Sequence, residues 1–174
     1  MSAAVPLSAE DRLDIMDLYA RYAWAMDSGD TEAFLDVFLP DATLFMSRKA
    51  TGHAELRAWH ERFLKDSGFP GSQHFATQFR FVEVDGNRVR TRVYVARLYR
   101  LPGTTHSTVV WQGYYTDTCV KVDGRWYYEL KNAHEASQLR KHEFTATDYP
   151  VAEQFYDLGS VSACAQGEPH AAFD

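Results

Sequence analysis

Thr108-Val109-Val110-Trp111-Gln112-Gly113-Tyr114-Tyr115-Thr116-Asp117-Thr118-Cys119-Val120-Lys121-Val122-Asp123-Gly124-Arg125-Trp126-Tyr127-Tyr128-Glu129-Leu130-Lys131-Asn132 is the stretch on which the fold turns. Two runs dense in β-branched and aromatic residues flank Asp123-Gly124. An Asp-Gly between such runs is a strong hairpin signal, because few residues adopt the positive φ of its tight turn. The same pattern recurs upstream, where Phe75 to Val84 and Arg88 to Leu101 are joined by Asp85-Gly86-Asn87. These runs predict a long antiparallel meander.

Helical patterns precede it. Ser8 with Asp11 three residues on forms a variant capping box, ahead of Leu13, Ile15, Met16, Leu18, Tyr19, Tyr22, Ala23 and Met26. This first helix is expected to end near Ser28-Gly29. A short second helix follows, capped by Asp30, burying Ala33, Phe34, Val37 and Phe38, and stopped by Pro40. Ala42 to Met46 is expected as a first strand. Leu56, Trp59, Phe63 and Leu64 mark a third helix over Gly52 to Lys65, before Gly68, Pro70 and Gly71 break the chain. Helices followed by a meander specify an α+β layout, with N-terminal helices packed in the concave face of a strongly curved, mostly antiparallel sheet. Residues 1–134 form the expected domain. Such a sheet bent over the helices is expected to leave a cone with a pocket at its open end, and residues 135–174 form an extension, with Phe144, Tyr149, Phe155 and Tyr156 able to pack over that end or against a neighbouring subunit.

The 174 residues suffice for a sizeable core, and a net charge of −6 without a basic run argues against nucleic acid or acidic lipid as partner. A small molecule is the expected ligand. Cys119 and Cys164 form no Cys-x-x-Cys motif, and Met1 to Pro6 lacks the basic start and apolar run of a secretory signal, so free thiols in the cytoplasm are expected. No apolar run reaches membrane-span length. The seven histidines are scattered, His134-Glu135 and His142-Glu143 lack a His-Glu-x-x-His frame, and no phosphate loop or nucleophile elbow occurs. Acid/base chemistry without metal or cofactor is what remains.

Asp27, in the last turn of the first helix, and His74, at the start of the meander, are the residues suited to it. The C-terminal end of a helix is partially negative, so an aspartate there needs a compensating partner. A carboxylate held against an imidazole fixes the tautomer and leaves the other ring nitrogen free as a base. Taken singly, Asp27 is equally a turn residue and His74 a hydrogen-bonded strand histidine. If His74 faces the cone, alternation turns Ala76 and Gln78 inward and Phe75, Thr77 and Phe79 outward. Trp111, Gly113, Tyr115, Asp117 and Cys119 share one face of their strand, and alternation alone does not say which.

Leu18-Tyr19-Ala20-Arg21-Tyr22-Ala23 with Asp27-Ser28-Gly29-Asp30, then Phe38-Leu39-Pro40-Asp41-Ala42, Gln73-His74-Phe75, Gly113-Tyr114-Tyr115-Thr116-Asp117 and Asp123-Gly124-Arg125-Trp126, in that order, resemble the SnoaL-like branch of the nuclear-transport-factor-2-like superfamily. The resemblance spans roughly residues 8 to 134. That branch contains dehydratases, a dehydrochlorinase and polyketide cyclases, and its lyases use an aspartate from the end of the first helix with a histidine from the sheet; Asp27 and His74 match those positions. Tyr22 matches a tyrosine of one dehydratase and is implied as a hydrogen-bond donor to a leaving hydroxyl or oxyanion. Its five-residue offset from Asp27 is about 140° around an ideal helix, so convergence needs a substrate between them or an irregular helix end. By the same analogy Trp111 and Tyr115 look inward, either as core aromatics or as walls of an aromatic-binding slot. Where a scytalone dehydratase carries a second catalytic histidine, this chain offers only Tyr94 and Arg97. Arg97 is either an anion clamp or part of a solvated basic face with Arg88, Arg90, Arg92 and Arg100.

The resulting expectation is a cofactor-independent lyase acting on a small aromatic or phenolic molecule, eliminating water or a carbon fragment such as formaldehyde. Tyr22 completes its catalytic set, and Tyr115, Trp111, Arg97, Gln78 and Tyr94 are its candidate substrate contacts. An isomerase or cyclase working by enolisation uses the same base. A non-catalytic binding module is the alternative from another class. The resemblance implies a homo-oligomer, a trimer ahead of a dimer.

Overall fold

The computed structural model describes residues 7–135 except 47, 68–71, 101, 102 and 104. The chain's contacts divide it into two units, Met1–His134 and Glu135–Asp174. The expectation that the C-terminal segment covers the cone or a subunit contact lies outside the described residues.

Helix α1 (Ala9–Ser28) begins at Ser8, whose hydroxyl accepts the Asp11 N–H at 3.0 Å. Asp11 also latches the helix to the sheet: one carboxylate oxygen accepts from Lys121 Nζ at 2.7 Å and from Trp126 Nε1 at 3.0 Å. The bond from Lys121 first, then that from the Ser8 hydroxyl, lowers the Asp11 carboxyl below its ordinary value. At the far end Gly29 takes the left-handed conformation (φ 72°), and both its N–H and that of Asp30 return to the Ala25 carbonyl. Ile15, Leu18, Tyr19, Tyr22 and Met26 are buried, whereas Leu13 and Met16, apolar positions of the same pattern, are exposed together with Trp24. The buried stripe is narrower than the sequence suggested.

Helix α2 (Thr31–Asp36) is capped by Asp30 and buries Phe34 and Leu35. It ends before Pro40 is reached. Strand β1 runs over Phe38–Phe45 and contains that proline, so Phe38 is a strand residue and the strand starts four residues before Ala42. β1 lies inside the sheet between β2 (Lys49–Thr51), a short edge strand absent from the sequence reading, and the last strand. Helix α3 (Gly52–Ser67) follows.

The meander comprises β3 (Ser72–Asp85), β4 (Arg88–Arg100), β5 (Ser107–Val122) and β6 (Arg125–Glu135). The sheet order is β2-β1-β6-β5-β4-β3, with β1 parallel to β6 and antiparallel to β2, and β4 antiparallel to both β3 and β5. This is an α+β fold on a mixed, mostly antiparallel sheet. Both hairpins fall where the sequence placed them. Asp123 and Gly124 have φ of 49° and 82°, the paired positive values of a type I′ turn, and Gly86 has φ 56°.

The core lies between the helices and one face of this sheet, joining Ile15, Leu18, Tyr22, Phe34 and Leu56 to Val89, Val93, Tyr115, Trp126 and Tyr128. Each such large apolar side chain contributes about 1.5–3 kcal/mol by leaving water. The inward face of β5 is the one carrying Trp111, Tyr115, Asp117 and Cys119. Gly113 on the same strand admits no side chain, since a Cβ there would stand 2.0 Å from the His134 carbonyl oxygen.

β3 breaks strict alternation. Its register with β4 shifts between Thr77 and Arg80, where Gln78 takes a φ of 50°. The irregularity turns Phe79 into the core, edge-to-face on Tyr19 at 5.0 Å, and leaves Gln78 exposed, accepting a hydrogen bond from the Thr77 hydroxyl.

Candidate active site

Asp27 and His74 meet. One Asp27 oxygen accepts the His74 backbone N–H at 2.9 Å, and the other lies 2.6 Å from the imidazole Nδ1. A carboxylate only accepts, so Nδ1 carries the proton and Nε2 keeps its lone pair in the neutral ring. The last turn of α1 supplies the aspartate and the first residues of β3 the histidine; the two bonds offset the cost of an anion at the negative helix end. Both side chains are largely buried yet retain solvent contact, at 10% exposure for His74 and 18% for Asp27. The pair is therefore screened from bulk water but not sealed from it.

Sheet register aligns the neighbours. His74 pairs with Arg97 across β3 and β4, and Arg97 with Trp111 across β4 and β5, so the three form one row on the inner face. The Arg97 guanidinium lies over the Phe63 ring, 5.7 Å from its centroid. Burial lowers its pKa, against the attraction of Tyr115 and Asp27. Arg97 is thus half-buried on the face that carries the dyad, not on a solvated basic face. Trp111 stacks on Tyr115 with centroids 6.3 Å apart, and Tyr115 meets Tyr22 edge-on at 6.4 Å.

Tyr22 and Tyr115 are both buried, and burial first, then neighbouring negative charge, raises both phenol pKa values. Each remains a neutral hydrogen-bond donor throughout the ordinary pH range. The Tyr22 hydroxyl lies 4.0 Å from Met46 Sδ. Two of the expected substrate contacts are corrected. Tyr94 pairs with Thr77 and Tyr114, one residue out of phase with the inward Val93 and Val95, and is exposed on the opposite face of the sheet. Gln78 is carried out of the inward row by the irregularity in β3.

The sequence reading gave little weight to a second polar cluster on the same face. Lys131 Nζ and Asp117 Oδ2 pair at 2.9 Å, each side chain 0% exposed. Tyr19 donates to the same Asp117 oxygen, and the other oxygen accepts the Asn132 N–H at 2.9 Å. The Lys131 ammonium lies 3.8 to 4.6 Å from the ring centroids of Tyr115, Tyr22, Tyr128 and Tyr19. An available signal was Asp117 itself, a charge on the same alternating face as Tyr115, which demands a buried cation. Among the described residues no group of three or more His, Cys, Asp or Glu is placed to hold a metal ion, and no helix is long and apolar enough to cross a membrane.

Known proteins agree with this architecture. Among the solved structures that resemble the chain are a proposed aromatic ring hydroxylase from Novosphingobium aromaticivorans (25% identity, 75% of this chain and 92% of that one, TM-score 0.66), a proposed scytalone dehydratase from the same organism (21%, 72% and 84%, TM-score 0.62), and a hexachlorocyclohexane dehydrochlorinase (20%, 72% and 85%, TM-score 0.62). No curated protein sequence matches the chain. The profile of the SnoaL-like domain matches residues 7–129, which is most of the chain and all of α1 through β5. With the helix-borne aspartate, the sheet histidine and the mixed sheet behind them, this chain belongs to the SnoaL-like family.

Proposed function

We propose that the chain is a cofactor-independent lyase in which His74 Nε2 removes a proton from a small aromatic or phenolic substrate while a neighbouring substituent leaves. The observation that carries this reading is the double grip of Asp27 on His74, through backbone N–H and ring Nδ1. It fixes the ring, selects the tautomer with a free Nε2, and stabilises the imidazolium that forms when the proton is taken. Tyr22 and Tyr115, kept neutral by burial, are suited to donate hydrogen bonds to the oxygen on which charge develops or departs. Arg97, in the same row as His74, contributes positive charge, and Trp111 with Phe63 supplies flat apolar walls. The leaving group is water or a carbon fragment such as formaldehyde, since deprotonation of a carbon or a hydroxyl asks the same of one base.

The test is mass spectrometry of phenolic diols, hydroxy ketones and lignin-type dimers incubated with wild type and with His74→Ala. Loss of water or formaldehyde with the wild type alone supports the lyase and names its leaving group. A product of unchanged mass, resolved by chromatography, moves the assignment to an isomerase or cyclase working through the same dyad. No conversion of any kind favours a binding module.

The chain is further read as a homo-oligomer, a trimer ahead of a dimer. Phe75 and Tyr94, both exposed on the face of the sheet turned away from the helices, support association through that surface.

A further inference from the structure

The Lys131 and Asp117 pair has no part in the chemistry above, yet a fully buried charge pair is costly to place and is not needed to fill a core. Its orientation relative to the dyad is informative. On β5 the inward positions run from Trp111, in the row of His74 and Arg97, through Tyr115 to Asp117, which pairs with Thr91 one row further from the dyad. The Lys131 ammonium bonds Asp117 but rests against the rings of Tyr115 at 3.8 Å and Tyr22 at 4.2 Å. The positive member thus backs the two phenols assigned above to the substrate oxygen, and the negative member is held by Tyr19 and the Asn132 N–H.

We propose that Lys131 is a positioning residue that gives the site a preference for ligands carrying, or developing, negative charge on oxygen. A cation against the face of a phenol ring is attracted to its electron density. That attraction grows as the phenol hydroxyl gains negative character by donating a hydrogen bond, so Tyr22 and Tyr115 become stronger donors to an oxyanion. The edge-to-face packing of the two rings around one ammonium also fixes their orientation. The substrate class this selects is an aromatic whose oxygen is a phenolate or becomes an enolate, which rests on, and narrows, the function proposed above.

The probe is para-nitrophenol, whose absorbance distinguishes bound phenol from bound phenolate. Its ionisation is titrated when bound to wild type and to Lys131→Met/Asp117→Asn, a variant that removes both charges and leaves no orphaned carboxylate. Circular dichroism establishes that the variant is folded; Lys131→Gln/Asp117→Asn, which keeps a hydrogen-bonded amide pair, takes its place otherwise. The expected result is that the pKa of the bound probe rises in the variant by about one unit, a tenfold loss of anion preference. A merely structural role would weaken phenol and phenolate alike and leave that pKa unchanged, which overturns the proposal. Failure of the wild type to bind the probe at millimolar concentration overturns it too, since the positive potential would then have no reach into a ligand site. Binding with the expected shift but no turnover of any candidate substrate leaves this inference standing and removes the lyase; turnover with an unchanged shift does the reverse.

Discussion

At the scale of the residue, Asp27 and His60 show two fates of a titratable group in a dry environment. Asp27 is given two donors, the His74 backbone N–H and ring Nδ1. Asp27→Asn removes the carboxylate proposed to stabilise imidazolium, and His74→Ala removes the proposed base; each is expected to lower turnover by roughly two to four orders of magnitude with little change in thermal transition, measured by steady-state kinetics beside circular dichroism. Wild-type-like turnover in both variants would end the proposed mechanism. His60 is fully buried, stacked on Phe34 at 4.3 Å with Nδ1 3.0 Å from the Thr31 hydroxyl, and burial pushes its pKa down to about 4. The charged form is the one penalised, so the folded state refuses a proton that the unfolded chain accepts near its ordinary value of 6.5. The contribution is fully present above that value and is lost as pH falls through about 4, reaching about 3 kcal/mol at most. Urea unfolding across this interval should show a shallower acid decline in His60→Gln than in wild type; parallel declines would show that His60 is not the titrating group.

At the scale of the element, departures from regularity decide which side chains the strands turn inward. The shift near Gln78 lets His74 and Phe79, on opposite alternation phases, both face inward, so one strand serves the dyad and the Tyr19 cluster. Between β5 and β6 the critical residue is Gly113, where the His134 carbonyl fills the space of a side chain. Gly113→Ala should cost about 3 kcal/mol or more, because the obstacle is backbone and neither strand can yield without losing register. Chemical denaturation measures it, and a loss below about 0.5 kcal/mol would show that the two strands are not held so close. Helix α1 is fixed at both ends, by Asp11 to the β5–β6 hairpin and by Asp27 to β3, which is why its last turn can present a carboxylate at a defined place.

At the scale of the whole molecule, the sheet separates two surfaces with different tasks. One carries the dyad row and the tyrosine cage against the helices; the other exposes Phe75 and Tyr94. Light scattering at micromolar concentration is expected to give three times the chain mass, and a monomer would refute association through the outer surface. Much of the layout was legible in the sequence: both hairpins from Asp-Gly and Gly-Asn turns, the Ser8 and Asp30 caps, α3, and the inward face of β5 once the family resemblance was invoked. These are local matters, set by φ preferences and by apolar period within a few residues. Asp27 and His74 were legible as a pair through that resemblance, but their contact spans 47 residues and depends on how α1 is laid against the sheet. The short β2, the inclusion of Pro40 in β1, the outward turn of Gln78 and Tyr94, and the burial of Lys131 among four tyrosines were decided by tertiary structure. Sheet order, register shifts and the pairing of buried charges arise from contacts between segments far apart in the chain, where no short-range preference of the residues involved distinguishes one arrangement from another.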